Sequence, residues 1–127
     1  MPEMRAVHPN ALPNYKMAVI PRNKLLDYAL NPASTHGRHK ARLFKSILGY
    51  ERSDWEALAK AILDALPYHE AWPSGEGLWG KKYLVALTIA GLNGKTGIVE
   101  TVWIVRAETD YPSFVTPRLI RERVSHD

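Results

Sequence analysis

The apolar residues of this chain repeat with a helical period up to Pro67 and with a period of two after it. A chain that places its helices first and its strands afterwards has no helical crossovers with which to build a parallel sheet, because parallel strands need long connections between them. What remains is an antiparallel meander whose apolar face is covered by the helices that precede it. The pattern therefore predicts an α+β fold, with two or three N-terminal helices packed on one face of a roughly four-stranded antiparallel meander sheet.

The helical part divides at its Pro and Gly signals. Residues 1–16 contain Pro2, Pro9 and Pro13 without periodicity and read as a loose arm. A short apolar run over residues 17–20 stops at Pro21. A first helix is expected over residues 22–30, with Leu25, Leu26 and Ala29 on one face, and a loop over residues 31–37. A second helix over residues 38–48 carries the stripe Leu43, Phe44, Ile47 and Leu48 and ends at Gly49. Ser53-Asp54-Trp55-Glu56 reads as a capping box that opens a third helix, with Leu58, Ile62 and Leu66 inward and Pro67 as its stop. In the second half, strands are expected over residues 68–72, 82–90, 97–107 and 113–116. Pro73 to Gly77 should form a turn, and Asn93-Gly94 a type I′ hairpin. Residues 17–117 make one domain, and residues 118–127 a basic C-terminal tail.

Composition narrows the chemistry. The absence of cysteine excludes a disulfide framework, thiolate metal sites and thiol nucleophiles, and fits a cytoplasmic location. No apolar run approaches the ~20 residues of a membrane span, and neither a nucleotide-cradling Gly-rich motif nor a clustered metal-ligand set is present. The five histidines are scattered, so neither a metal nor another cofactor is expected. The net charge of +4 is unevenly placed: residues 1–50 hold eight Lys/Arg against two Asp/Glu, and the rest of the chain nine against eleven. A basic surplus confined to the helical part suggests a polyanion or an acidic protein as partner.

That surplus is densest at Gly37-Arg38-His39-Lys40-Ala41-Arg42, the start of the second helix, with no acid between Asp27 and Glu51. A helix N-terminus already carries roughly half a positive elementary charge, so cations there are unfavourable unless an anion rests on them. Phosphate is the natural anion. Lys40 continues the apolar stripe and is the candidate for charge stabilisation, with Arg38 and Arg42 as further phosphate contacts. His39 is the candidate for proton transfer near neutral pH, and His36 flanks the same glycine. In the central hairpin, Thr101 and Trp103 share one strand face, where they either join the core or line a groove, as a phosphate hydrogen bond and a stacking wall. Thr116 and Arg118 follow the last strand and could reach the same edge.

Several stretches resemble an uncharacterised bacterial domain that occurs as small free-standing proteins and as the C-terminal module of polymorphic toxins. They are Ala18-Val19-Ile20-Pro21, Tyr28-Ala29-Leu30-Asn31-Pro32, Gly37-Arg38-His39-Lys40-Ala41-Arg42-Leu43-Phe44, Thr101-Val102-Trp103-Ile104 and Phe114-Val115-Thr116. That family usually closes its last strand with Val-Thr-Ala-Tyr-Pro, where this chain has Val115-Thr116-Pro117-Arg118-Leu119. The helix-then-meander order is also similar to the barnase–EndoU–colicin–RelE class of small metal-independent ribonucleases, a likeness at the level of fold. The basic helix start, taken with these likenesses, makes the leading expectation a metal-independent endoribonuclease that cleaves RNA by 2′-hydroxyl attack on phosphate, as the toxin of a toxin–antitoxin or toxin–immunity pair. Its catalytic residues would be Lys40, His39 and Thr101, its partners RNA and an acidic antitoxin or immunity protein, with no membrane and with room for a homodimer. The alternatives are a non-catalytic nucleic-acid-binding or regulatory module and a protein-binding partner of an acidic antitoxin.

Overall fold

A computed structural model describes the backbone of residues 5–122 and the side chains of residues 5–120. Helix α1 opens with an α-helical turn, Arg22–Lys24, and continues with π geometry over Leu25–Ala29. Helix α2 does the same, Arg38–Leu43 followed by Phe44–Leu48, whereas α3 is regular over Trp55–Ala65. Strands β1 (Ala71–Gly77), β2 (Gly80–Ala90), β3 (Thr96–Arg106) and β4 (Ser113–Glu122) follow as one antiparallel sheet in chain order. The fold is thus α+β, three helices before a four-stranded meander.

The two π segments are consequences of packing. Leu30 N–H donates to the Leu25 carbonyl at 2.9 Å, a five-residue reach that sets Leu25 and Leu30 on one face, and both are fully buried. In α2, Phe44 and Leu48, four residues apart and so on one face, enter one core with Leu58 and Ile62 of α3. Gly49, at φ +77°, stops α2 in the left-handed conformation that glycine adopts without strain. Sheet alternation supplies the other half of the core. Gly97, Val99, Thr101 and Trp103 of β3 are buried under the helices, while Ile98, Glu100, Val102 and Ile104 point to the opposite face. Each fully buried Leu, Ile or Phe contributes roughly 1.5–3 kcal/mol of transfer free energy, so these stripes hold the layers together.

Several local expectations are corrected. Pro73 does not begin a turn; it sits inside β1, next to a bulge between Pro73 and Gly75, and the reversal falls at Leu78-Trp79. β1 is an edge strand, where a missing N–H costs no ladder bond. For the same reason β4 runs through Pro117 to Glu122, so the first part of the expected basic tail is strand, and residues 123–127 lie outside those described. The α3 box begins earlier than Ser53. Asp54 Oδ2 accepts the Glu51 N–H at 2.8 Å, and a 3-10 turn over Arg52–Asp54 leads into the helix. Asn93 does not take the positive φ of a type I′ turn. Its side chain instead donates to the Ile47 carbonyl at 3.0 Å and accepts Lys95 N–H at 3.1 Å, tying the loop to the end of α2. The arm is fastened too: Leu12 is buried, and backbone bonds join His8 to Pro67 and Ala71 to Asn10.

Tyr50 O–H donates to the Ala90 carbonyl at 2.7 Å and anchors the α2–α3 connection to the end of β2. Burial, with the Asp54 carboxylate adding to it, pushes this hydroxyl above its ordinary range, so it remains a donor.

Candidate functional site

The helical layer encloses a groove of about 1230 Å³. Its floor is apolar: Leu26 and Leu30 from α1, Pro32 from the following loop and Ala41 from α2. Its rim carries Arg38, His39, Arg42 and Lys45 from α2, and Glu51 and Arg52 from the turn before α3. Four guanidinium or ammonium groups thus face one carboxylate and one imidazole. A smaller cleft of about 470 Å³ near the β1–β2 reversal is lined by Lys81 and Arg106 against Glu76 and Asp110, so its charges balance and it favours no anion.

The contacts around the rim are specific. Arg42 Nη2 lies 2.8 Å from His39 Nδ1. A guanidinium has no lone pair to offer, so Nδ1 accepts and the ring proton resides on Nε2. Lys45 pairs with Glu51 at 3.4 Å, both more than half exposed, a contact worth about 0–1 kcal/mol that a ligand displaces readily. Arg52 is held more firmly, with Nε donating to the Leu26 carbonyl at 2.8 Å and Nη2 to Asp27 at 3.1 Å. Arg38 is exposed and has no acidic partner among the described residues.

The backbone contributes less to this site than the sequence suggests. Ser34 Oγ accepts the Gly37 N–H and the Ser34 carbonyl accepts the Arg38 N–H, both at 3.0 Å. Part of what an anion would find at a helix start is therefore already satisfied. The attraction for an anion comes from the side chains.

The residues singled out by sequence divide into three places. Arg38, His39 and Arg42 line the groove. Lys40 is half-buried on the other flank of α2, the flank of Leu43 and Ile47, and does not line it; His36 is exposed in the preceding loop and does not line it either. Thr101 and Trp103 are corrected to core residues with no solvent-accessible surface, so neither touches a substrate. Trp103 Nε1 donates to Thr101 Oγ1 at 2.8 Å, and Thr101 Oγ1 donates to the Val85 carbonyl at 2.8 Å. Thr116 and Arg118 stand across from Val102 and Glu100, on the sheet face turned away from the helices, and so do not share the groove. Thr116 Oγ1 is buried without a hydrogen-bond partner. Thr116→Val is accordingly expected to raise stability by about 1 kcal/mol, seen as a higher urea midpoint at unchanged slope; a lower midpoint would mean that the hydroxyl is satisfied after all.

Sequence reasoning missed Lys45, Glu51 and Arg52. Their signal was present as a basic residue two turns beyond Arg38 and an acid closing the acid-free stretch, but only the sharp reversal at Gly49-Tyr50 brings Glu51 and Arg52 back over α1. His69 has a structural role instead. Its Nδ1 donates to the Ala65 carbonyl at 2.9 Å and its Nε2 accepts Thr88 N–H at 3.2 Å, standing in for the ladder ahead of the first residue of β1.

Among the described residues no helix is long and apolar enough to cross a membrane, and no group of three or more His, Asp or Glu is placed to hold a metal. Neither a curated protein nor a solved structure matches the chain. Residues 11–119 match the family described as a domain of unknown function, DUF6883, and with its groove-lining α1, α2 and Glu51 turn inside that span the chain belongs to this family.

Proposed function

We propose that the groove binds the phosphate backbone of RNA and that the chain is a metal-independent endoribonuclease. The observation that carries this reading is the convergence of one imidazole, one carboxylate and four cations on a single apolar-floored groove. RNA contains its own nucleophile, so its cleavage needs only a base for the 2′-hydroxyl proton, an acid for the departing 5′-oxygen and charge stabilisation at phosphorus. Glu51 takes the first role and His39 the second, with Arg38 and Arg42 on the phosphate oxygens. The 2′-oxygen bonds to phosphorus, the bond to the 5′-oxygen breaks, and the products are a 2′,3′-cyclic phosphate and a 5′-hydroxyl. A phosphate that engages Arg42 also releases His39 Nδ1, which then accepts the proton it must donate.

The test is cleavage of end-labelled RNA in the presence of a chelator. The expected products end in cyclic phosphate, and the DNA counterpart stays intact. His39→Ala is expected to lower kcat/KM by roughly 10²–10⁴, and Arg38→Ala with Arg42→Ala by about 10²–10³ with a shallower salt dependence. Lys40→Ala, on the other flank of α2, is expected to cleave normally. Intact RNA, or full activity without His39, removes the catalytic reading. Loss in Lys40→Ala alone moves the site to the opposite flank.

Resemblance to modules of polymorphic toxins supports the same reading by analogy. An unrestrained ribonuclease harms the cell that makes it, so a toxin of this kind calls for an acidic antitoxin or immunity protein over the basic rim. A second reading, a non-catalytic nucleic-acid-binding module, is favoured by one observation: His39 is engaged by Arg42 and Glu51 by Lys45. Binding that weakens steeply with salt and yields no cleavage would select it.

A further inference from the structure

The sheet face opposite the helices breaks the alternation expected of a solvated antiparallel sheet. One row crosses all four strands, Trp72–Leu84–Val102–Thr116; Ile104 flanks it on β3, and Ile98 lies on the same face beyond Glu100. Trp72 is 57% exposed, and Trp79, 46% exposed, lies over Gly75 and Gly77 on the Lys82 side of β1, which is this same face. Contiguous apolar surface of this kind marks an interaction site.

We infer that this face is the interface of a homodimer, in which two sheets pack face to face. Charge selects a second copy as the occupant. The helical part of the chain, residues 1–66, holds ten Lys/Arg against six Asp/Glu, so two copies meeting through their helices would stack like charges. The open face instead carries a self-complementary pair, Arg118 and Glu100, 3.3 Å apart in one chain, with Lys82 at its margin. A two-fold axis sets Arg118 of each copy against Glu100 of the other. Size agrees as well. Four strands spaced about 4.8 Å apart, with β2 and β3 eleven residues long, offer a face on the order of 700 Å². Stable dimers bury roughly 800 Å² on each partner. The exposed tryptophans supply the anchors, and sheets packed this way stand about 10 Å apart. The groove in the helical layer remains open in such a dimer, so the inference stands independently of the ribonuclease reading.

The full chain is tested by size-exclusion chromatography with light scattering over a range of concentrations. The expected mass is twice the 14.3 kDa of one chain. Trp72→Glu is expected to give a monomer with unchanged circular dichroism, since the residue is exposed and carries no fold. Glu100→Arg and Arg118→Glu are each expected to weaken association at least about tenfold, and an equimolar mixture of the two variants to recover it. A wild-type chain that stays monomeric at high micromolar concentration overturns the inference. So does a dimer unaffected by Trp72→Glu, or a monomer in which Trp72→Glu abolishes RNA retention, which would assign the face to nucleic acid.

Discussion

Replacing Trp103 by alanine is expected to cost about 3–5 kcal/mol, a large part of the 5–15 kcal/mol by which a domain of this size is stable. Of the four tryptophans, Trp103 is the one without solvent exposure. Its ring meets Phe114 edge-to-face at 5.2 Å and 72°, so its removal leaves a cavity beneath two neighbouring strands. It also takes away the indole N–H that Thr101 Oγ1 accepts. Thr101 still donates to Val85, so the hydroxyl is not orphaned and the cavity dominates the loss. Trp103→Phe separates the two effects: it keeps most of the volume, removes the hydrogen bond and should cost roughly 1–2 kcal/mol. Urea unfolding followed by circular dichroism measures both. A Trp103→Ala midpoint equal to wild type would show that the centre of the sheet contributes little to stability.

The same residue shows what the sequence made legible. Alternation along β3 placed Thr101 and Trp103 on one face, and that was correct. Period alone does not say whether a strand face meets a helix or a groove, and here three helices cover it. The helix-to-strand order at Pro67 gave the class because connection lengths leave few topologies. Strand ends were less legible because edge strands tolerate proline, and Pro73 and Pro117 both sit in edge strands that continue past them. In the candidate site, the density of basic residues led to Arg38, His39 and Arg42 because they are adjacent in sequence. Lys40 shares that stretch but faces the other flank, since an α-helix turns about 100° per residue. Glu51 and Arg52 reach the groove through a tertiary reversal, which no window along the chain contains. The open sheet face was not legible: a period of two defines two strand faces, and only the structure shows that the one with Val102 and Ile104 is left uncovered by the described helices.

Gly37→Ala is expected to destabilise the domain and disable the groove, by more than the loss of about 1 kcal/mol that alanine ordinarily causes at a helix N-cap. The backbone conformation at Gly37 is ordinary, at φ −102°, so conformational freedom is not what this glycine supplies. It supplies closeness. A Cβ there would overlap the carbonyl oxygen of Tyr28 and stand 2.5 Å from its carbonyl carbon, with Ser34 Oγ at 3.1 Å. Backbone meets backbone at this point, and neither side can rotate away as a side chain would. Helix α1 must therefore back off from α2, at a cost of about 1–3 kcal/mol or more. The bonds that fix the loop, Asn31 N–H to Tyr28 and Gly37 N–H to Ser34, are strained in the same movement. Because Leu26 and Leu30 come from α1 while Arg38, Ala41 and Arg42 come from α2, the seam that opens is the floor of the groove. The expected outcome is a lower melting temperature together with weaker retention of RNA, whereas Arg38→Ala should weaken retention with the melting temperature intact. A Gly37→Ala variant that melts at or above the wild-type temperature would show that α1 and α2 do not meet at this glycine, and the groove they build would have to be abandoned with it.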